Sequence, residues 1–111
     1  MEQYSIFCTE AQTRKALNLD APLEIGEGKG TILCRYQNYH TYKRCIIPTA
    51  DQMIGWLEGR YIDCFVGKQL LQRFVATVCV HEELIYSKQY PSRQEATLAT
   101  IDAALDYLSK K

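Results

Sequence analysis

The residues of this chain that could perform chemistry are two histidines, five cysteines and one glycine-rich segment. His81 precedes Glu82 and Glu83 as in part of a zinc motif, but no second histidine follows at helical spacing. A two-residue turn between strands explains this segment better. Residues 26–30 (GEGKG) lack the spacing of a Walker loop, which favours a flexible turn over a phosphate cradle.

Cys34, His40 and Cys45 could bind a metal, but they supply three ligands at irregular spacing, whereas a structural zinc site takes four. The cysteines are odd in number and include no C-x-x-C pair, which argues against a disulfide framework. Cys64 and Cys79 lie in strand-like apolar runs, where a reduced cysteine acts as a small hydrophobe. The sequence therefore predicts no catalytic residue, no metal and no cofactor, and a protein that is not an enzyme.

The charge pattern has one asymmetry within a net charge of zero: residues 28–50 contain no carboxylate but include four lysines and arginines. Tyrosines and a histidine alternate with these cations. Such a mixture suits a protein interface, and it also suits phosphate contact with base stacking. A solvated hairpin is the third interpretation. The residues predicted to bind a partner are Arg35, Tyr36, Tyr39, His40, Tyr42, Lys43 and Arg44.

Three helices are predicted where a hydroxyl residue is followed three positions later by Gln or Glu, the pattern of a capping box. The pairs are Thr9 with Gln12, Thr49 with Gln52, and Ser92 with Glu95. The second helix carries Trp56, predicted to be a core anchor, and stops at Gly59. In the third helix Leu98, Ile101, Leu105 and Leu108 form an apolar stripe, and Thr100, Asp102 and Asp106 point to solvent.

Two strand-like runs, TILCRY and YKRCII, flank a polar tip and predict a hairpin across residues 29–47. A register with Cys34 opposite Cys45 gives a reasonable apolar face, although it also sets Arg35 against Arg44.

From residue 61 onward the pattern predicts antiparallel strands at 61–66, 73–81 and 84–89. The middle strand has apolar residues on both faces, which predicts helices above and below it. The predicted fold class is α+β: a small antiparallel sheet, in a meander, packed by the three helices. The length of 111 residues predicts a single domain, 1–111.

No apolar run approaches the ~20 residues of a membrane span, and the first residues lack the order of a signal peptide. The chain is therefore predicted to be a soluble cytoplasmic protein with no membrane partner.

Three segments characterise residues 48–108. They are IIPTADQMIGWLEG, whose proline is residue 48, then FVATVCV, and then SRQEATLATIDAALDYL. With these segments the chain resembles short uncharacterised proteins of gut Bacteroidetes, their phages and mobile elements. The second half is also similar in layout to the phage ABA-sandwich domain. This resemblance implies a helix, sheet and helix packing order, and it implies no activity and no functional residue.

The function predicted from sequence is that of a small accessory or interaction protein, of phage or mobile-element origin, that binds a protein partner or itself, for example as a homodimer. The surface would include the Tyr/Arg hairpin. The alternative is nucleic-acid binding through the basic, Tyr-rich hairpin 29–47, for which four charges are few. An unrecognised enzyme is a third hypothesis, and it requires a deep pocket lined by paired titratable groups.

Overall fold

The computed structural model describes residues 6–28, 30–35 and 42–110, and only the backbone at residues 34, 35 and 42. Within them the chain forms three helices and two antiparallel sheets, which confirms the α+β fold class. The elements are α1 (Glu10–Asn18), β1 (Thr31–Arg35), β2 (Tyr42–Ile46), α2 (Ala50–Glu58), β3 (Ile62–Gln69), β4 (Arg73–Val80), β5 (Glu83–Tyr90) and α3 (Arg93–Ser109). A short 3-10 turn, Leu70–Gln72, joins β3 to β4.

The helices begin at the predicted caps. Thr9 and Thr49 accept from the backbone N–H groups of Gln12 and Gln52, whose side-chain oxygens accept in return from the cap N–H groups. At α3, Ser92 Oγ accepts from the third N–H of the helix as expected, but the Glu95 carboxylate accepts from the Ser92 hydroxyl and not from its backbone N–H, so the predicted capping box is only half formed. Five backbone N–H donors at the three helix starts thus gain side-chain partners, and the local sequence marks where each helix starts.

The core lies between the helices and one face of the three-stranded sheet, whose strand order is β3-β4-β5. Helix α3 packs on all three strands, α2 packs on β3, and α1 and α2 both contact α3. The largest fully buried apolar side chains are Met53, Leu57, Ile62, Val78, Ile101 and Leu105. The stripe predicted for α3 is confirmed at its centre, while Leu98 and Leu108 at its ends are half-buried.

Thr100 was predicted to face solvent, and that prediction is wrong, because its side chain is fully buried. The hydroxyl donates to the carbonyl oxygen of Thr97, and the Cys64 thiol of β3 lies against the Thr100 carbonyl. A threonine can occupy this helix face because the preceding turn satisfies its hydroxyl.

The predicted register of the first hairpin is also wrong. In the structure Cys45 lies opposite Ile32, and Arg44 lies opposite Leu33. This register buries Ile32 and Cys45 together in a small second core, and it removes the predicted opposition of Arg35 and Arg44. Burial of the paired apolar side chains and separation of like charges both favour it.

The β4–β5 connection has two residues as predicted, but they are His81 and Glu82, one residue earlier than the predicted Glu82 and Glu83. Both have positive φ angles, of 49° and 69°. A turn of this kind prefers glycine at its second position. We expect Glu82→Gly to stabilise the fold by about 0.5–1 kcal/mol, because glycine relieves the left-handed backbone while the stacking of His81 on Tyr61 remains. The thermal unfolding midpoint measures this effect. The control is Glu83→Gly, in the regular strand, which should lower the midpoint instead.

Helices were predicted on both sides of the central strand, and this prediction is wrong. All three helices lie on the Ile62 and Val78 side of the sheet. No described element covers the opposite face, where Phe65 and Leu84 remain exposed. Helix α1, which could have covered the second face, packs mainly on α3.

Candidate functional site

The uncovered side of the three-stranded sheet, called the open face here, is the candidate site. Its side chains alternate with those of the core, since successive residues of a strand point to opposite faces. Phe65 is paired with Thr77, and Asp63 with Cys79, between β3 and β4. On β5 the corresponding residues are Leu84, opposite Cys79, and Ser87, opposite Thr77.

Large apolar side chains are exposed on this face. Phe65 is 55% exposed and Leu84 is 63% exposed, although sheet residues of this size normally lie in a core. The register shift next to Cys79 inserts one extra residue into β5, so that the consecutive residues Leu84 and Ile85 are both exposed. Val75, Thr77 and Cys79 on β4 are half-buried between them. Together these side chains form a continuous apolar strip across the three strands.

Polar groups border the strip at both ends. At the β3–β4 connection, the Gln89 amide donates to the Gln69 side-chain oxygen across 2.9 Å, and Arg73 lies beside them. At the other end stands the carboxylate residue Asp63. An apolar centre with a polar rim is the usual anatomy of a protein-binding surface.

Gly67 leaves a gap in the row of side chains that β3 presents on the open face, and this gap is called the hollow. It lies on β3, two residues beyond Phe65 and opposite Val75. A Cβ atom added there would meet no other atom within 4 Å. A glycine inside a strand weakens the strand and often marks a place where another chain approaches closely.

The tip between β3 and β4 is a second exposed apolar feature. Leu70 and Leu71 are 91% and 92% exposed, and Leu71 has a left-handed φ of 67°. The tip lies at the Gln69 end of the sheet, outside the apolar strip.

The residues predicted to bind a partner are only partly described by the structure. On β2, Lys43 is half-buried and Arg44 is exposed, with its guanidinium donating to Thr31 Oγ1 across 3.2 Å. The backbones of Arg35 and Tyr42 face each other across the hairpin. The predictions for Tyr36, Tyr39 and His40 lie outside the described residues.

The fold places carboxylates next to this basic strand, which the sequence alone did not suggest. The Ile46 N–H donates to the Glu24 carbonyl, and the Gly26 N–H donates to the Arg44 carbonyl. The segment that carries Glu24 and Glu27 therefore runs alongside β2 and reduces the positive field that the hairpin would have by itself.

Trp56 is packed against the core but remains half-buried, with the Arg60 guanidinium 4.9 Å from its ring centre. Trp56, Pro22 and Met53 line a pocket of about 220 Å³, and Glu24 is the charged residue among those that line it. Ligand pockets usually measure ~300–1,000 Å³ and converge several polar groups, so this pocket is small for a ligand or substrate site.

Burial keeps several titratable groups neutral. It raises the pKa of the Cys8 and Cys64 thiols to about 11, and it raises the pKa of Tyr86, which is hydrogen-bonded to Tyr90, to about 12. These shifts oppose the formation of a nucleophilic anion, whereas a reactive thiol needs a lowered pKa. Among the described residues, no group of three or more His, Cys, Asp and Glu could hold a metal ion.

Cys8, Cys64 and Cys79 are free thiols, but Cys45 is disulfide-bonded, so the argument against a disulfide framework does not hold for Cys45.

Comparison of the chain with protein-family models, with curated proteins and with solved structures gives no match. The resemblance to Bacteroidetes and phage proteins, and to the ABA-sandwich layout, therefore stays a prediction. In the part of the chain that the structure describes, no helix has the length and apolar character needed to cross a bilayer. The cytoplasmic location also stays a prediction, and disulfides are more typical of oxidising compartments.

Proposed function

We propose that this protein is a non-enzymatic interaction protein and that its protein partner docks on the open face. The observation that carries the proposal is the exposure of Phe65, Leu84 and Ile85 on one continuous sheet surface. Removing such side chains from water stabilises a complex by roughly 25 cal/mol per Å² of apolar area. Soluble proteins rarely expose a large apolar patch unless it binds something.

The distribution of charge supports a protein partner. Asp63 and Arg73 stand at opposite ends of the face, and no charged residue lies in the strip between them. Depletion of charge at the centre of a surface is characteristic of protein interfaces, whereas nucleic-acid surfaces carry clustered lysines and arginines.

Nucleic-acid binding through the hairpin 29–47 is the second candidate function. One observation favours it: Arg14 of α1 donates to the Leu33 carbonyl and so adds a cation beside Arg44. The adjacent Glu24 and Glu27 act against it. Fluorescence anisotropy with single-stranded and duplex probes at low salt tests this candidate, because electrostatic attraction is greatest there.

The proposed function predicts that Phe65→Ser combined with Leu84→Ser weakens partner binding at least about tenfold, because large exposed anchors dominate interface energies. Both side chains are more than half exposed, so the thermal midpoint should change by only a few degrees. The measurement is quantitative affinity capture from cells of the native host, followed by titration of the purified partner.

The matched control is Leu70→Ser combined with Leu71→Ser, which also removes two exposed apolar side chains but lies outside the strip. The control variant should still bind the partner. Loss of the partner by the control alone, or by Arg44→Ala alone, would move the functional surface to the tip or to the basic hairpin and contradict the proposal.

A further inference from the structure

We infer that the partner on the open face is a second copy of this chain, packed sheet on sheet about a two-fold axis. The inference rests on the proposed function and specifies its partner. In a two-fold interface the same patch must complement itself, so that residue i of one copy meets residue j of the other and j meets i. The open face has two such self-complementary pairs, one of shape and one of charge.

The pair that is complementary in shape consists of Phe65, which protrudes, and Gly67, which has no side chain. One side chain stands out from β3, and the hollow lies two residues further along the same strand, ~7 Å away on the same face. Consider a two-fold axis that lies between the two packed sheets, at right angles to β3, and passes over the midpoint between Phe65 and Gly67. This axis places each Phe65 ring over the hollow at Gly67 of the other copy. Two protrusions then fill two hollows, which flat packing of the two sheets would leave empty.

The pair that is complementary in charge consists of Asp63 and Arg73. These residues lie on the open face at opposite ends of the paired strands, so they are too far apart to contact each other within one copy. The axis that matches Phe65 to Gly67 also brings Asp63 of one copy towards the Gln69 and Arg73 end of the other. Each dimer thus gains two oppositely charged contacts at its rim. The net charge of zero adds no overall repulsion between copies.

The size of the face sets the strength of the association. Three strands of eight residues cover roughly 26 Å by 14 Å. That area is below the ~800 Å² that each partner contributes to a typical stable interface. The dimer should therefore be reversible, with a dissociation constant on the order of micromolar to tens of micromolar. The core of one copy is complete without the other, which agrees with a dimer that exchanges with folded monomers.

The β5 edge of the sheet is less suited to self-association than the open face. On the β5 edge, the register shift and the exposed Lys88 both interrupt regular pairing with another strand. Burying the face also covers Phe65 and Leu84, whereas pairing along the edge would leave both exposed.

The first experiment is a concentration series in sedimentation velocity. The wild-type mass should rise from 12.8 kDa towards twice that value. Gly67→Val should remain monomeric, because the added side chain fills the hollow, while its β-branched residue suits the strand and keeps the monomer folded. The control, Lys68→Val, places the same side chain one position further along, on the opposite face, and should associate like the wild type.

The second experiment exchanges charges. Asp63→Arg and Arg73→Asp should each weaken association at least about tenfold, because each creates two like-charged contacts in a dimer with itself. Mixing the two variants should restore dimers, since both contacts between unlike copies then join opposite charges. The recovery requires residue 63 of one copy to lie near residue 73 of the other, as the two-fold arrangement places them.

Three results would overturn the inference: a wild-type chain that stays monomeric up to about 1 mM, a Gly67→Val variant that still dimerises, or a mixture of charge variants that fails to associate. The proposed function fails separately. If the wild type is monomeric but a different protein binds and is lost with Phe65→Ser and Leu84→Ser, the open face keeps its role and the occupant is not a second copy.

Discussion

Replacing Leu105 with alanine should destabilise the protein by about 2–5 kcal/mol, the range for a large buried aliphatic side chain reduced to a methyl group. Leu105 is fully buried, and it lies in the core that joins α3 to the sheet and to the other helices. Alanine is an excellent helix former, so the loss reports packing and not helix propensity. Chemical denaturation with urea measures the change in the free energy of unfolding.

The control on the same helix is Leu108→Ala, which removes the same atoms from a half-buried position one turn away. It should destabilise the protein by about 1 kcal/mol, because water already reaches part of the side chain. Equal losses at the two positions, or no loss at Leu105, would show that α3 presents a different side to the core.

Gln12→Ala should destabilise the protein by about 2–3 kcal/mol, because this one side chain makes three hydrogen bonds of roughly 1 kcal/mol each. Its oxygen accepts from the Thr9 N–H at the start of α1. Its amide nitrogen donates to the Leu98 carbonyl and the Asp102 carboxylate on α3 at 2.8 and 2.9 Å. Gln12 as a whole is only 1% exposed. The capping amide therefore also attaches α1 to α3.

Gln52→Ala is the matched control for Gln12→Ala, since Gln52 has the same role in the capping box of α2 but is exposed. It should cost only about 0.5–1 kcal/mol. The difference between the two variants, measured by urea denaturation, gives the contribution of the link between helices. A difference near zero would contradict a structural role for the two bonds to α3.

The sequence predicted the elements whose signals are local. A capping box spans four residues, and the alternation of a strand is visible within eight, so the helix starts and the β3-β4-β5 meander were recognised. A two-residue turn between β4 and β5 was recognised for the same reason, although it was placed one residue too late in the chain.

The errors come from interactions between distant residues. The hairpin register depends on burial of Ile32 and Cys45 against α1 and the loop after it, which the hairpin sequence does not contain. Thr100 was assigned to solvent by its residue type, although its hydroxyl is satisfied inside the helix. The burial of Gln12 was missed because its capping role alone explained its presence.

The open face was visible in the sequence but interpreted incorrectly. Val75, Thr77 and Cys79 showed that β4 is apolar on both sides, and a second layer of helices was expected to cover them. In the structure, all three helices instead lie on one side of the three-stranded sheet. The apolar pattern of β4 was read correctly, and in the structure its second side belongs to a face that no described helix covers.

The most direct test of the central claim is hydroxyl-radical footprinting of the wild-type chain across a dilution series, with oxidation measured residue by residue. We predict that Phe65 and Leu84 are strongly oxidised in dilute protein and become protected as concentration rises, while Leu70 and Leu71 stay oxidised throughout. Protection of Phe65 and Leu84 at every dilution would show that the chain itself covers the face. Oxidation of both residues at every concentration, up to about 1 mM, would show that no second copy covers it.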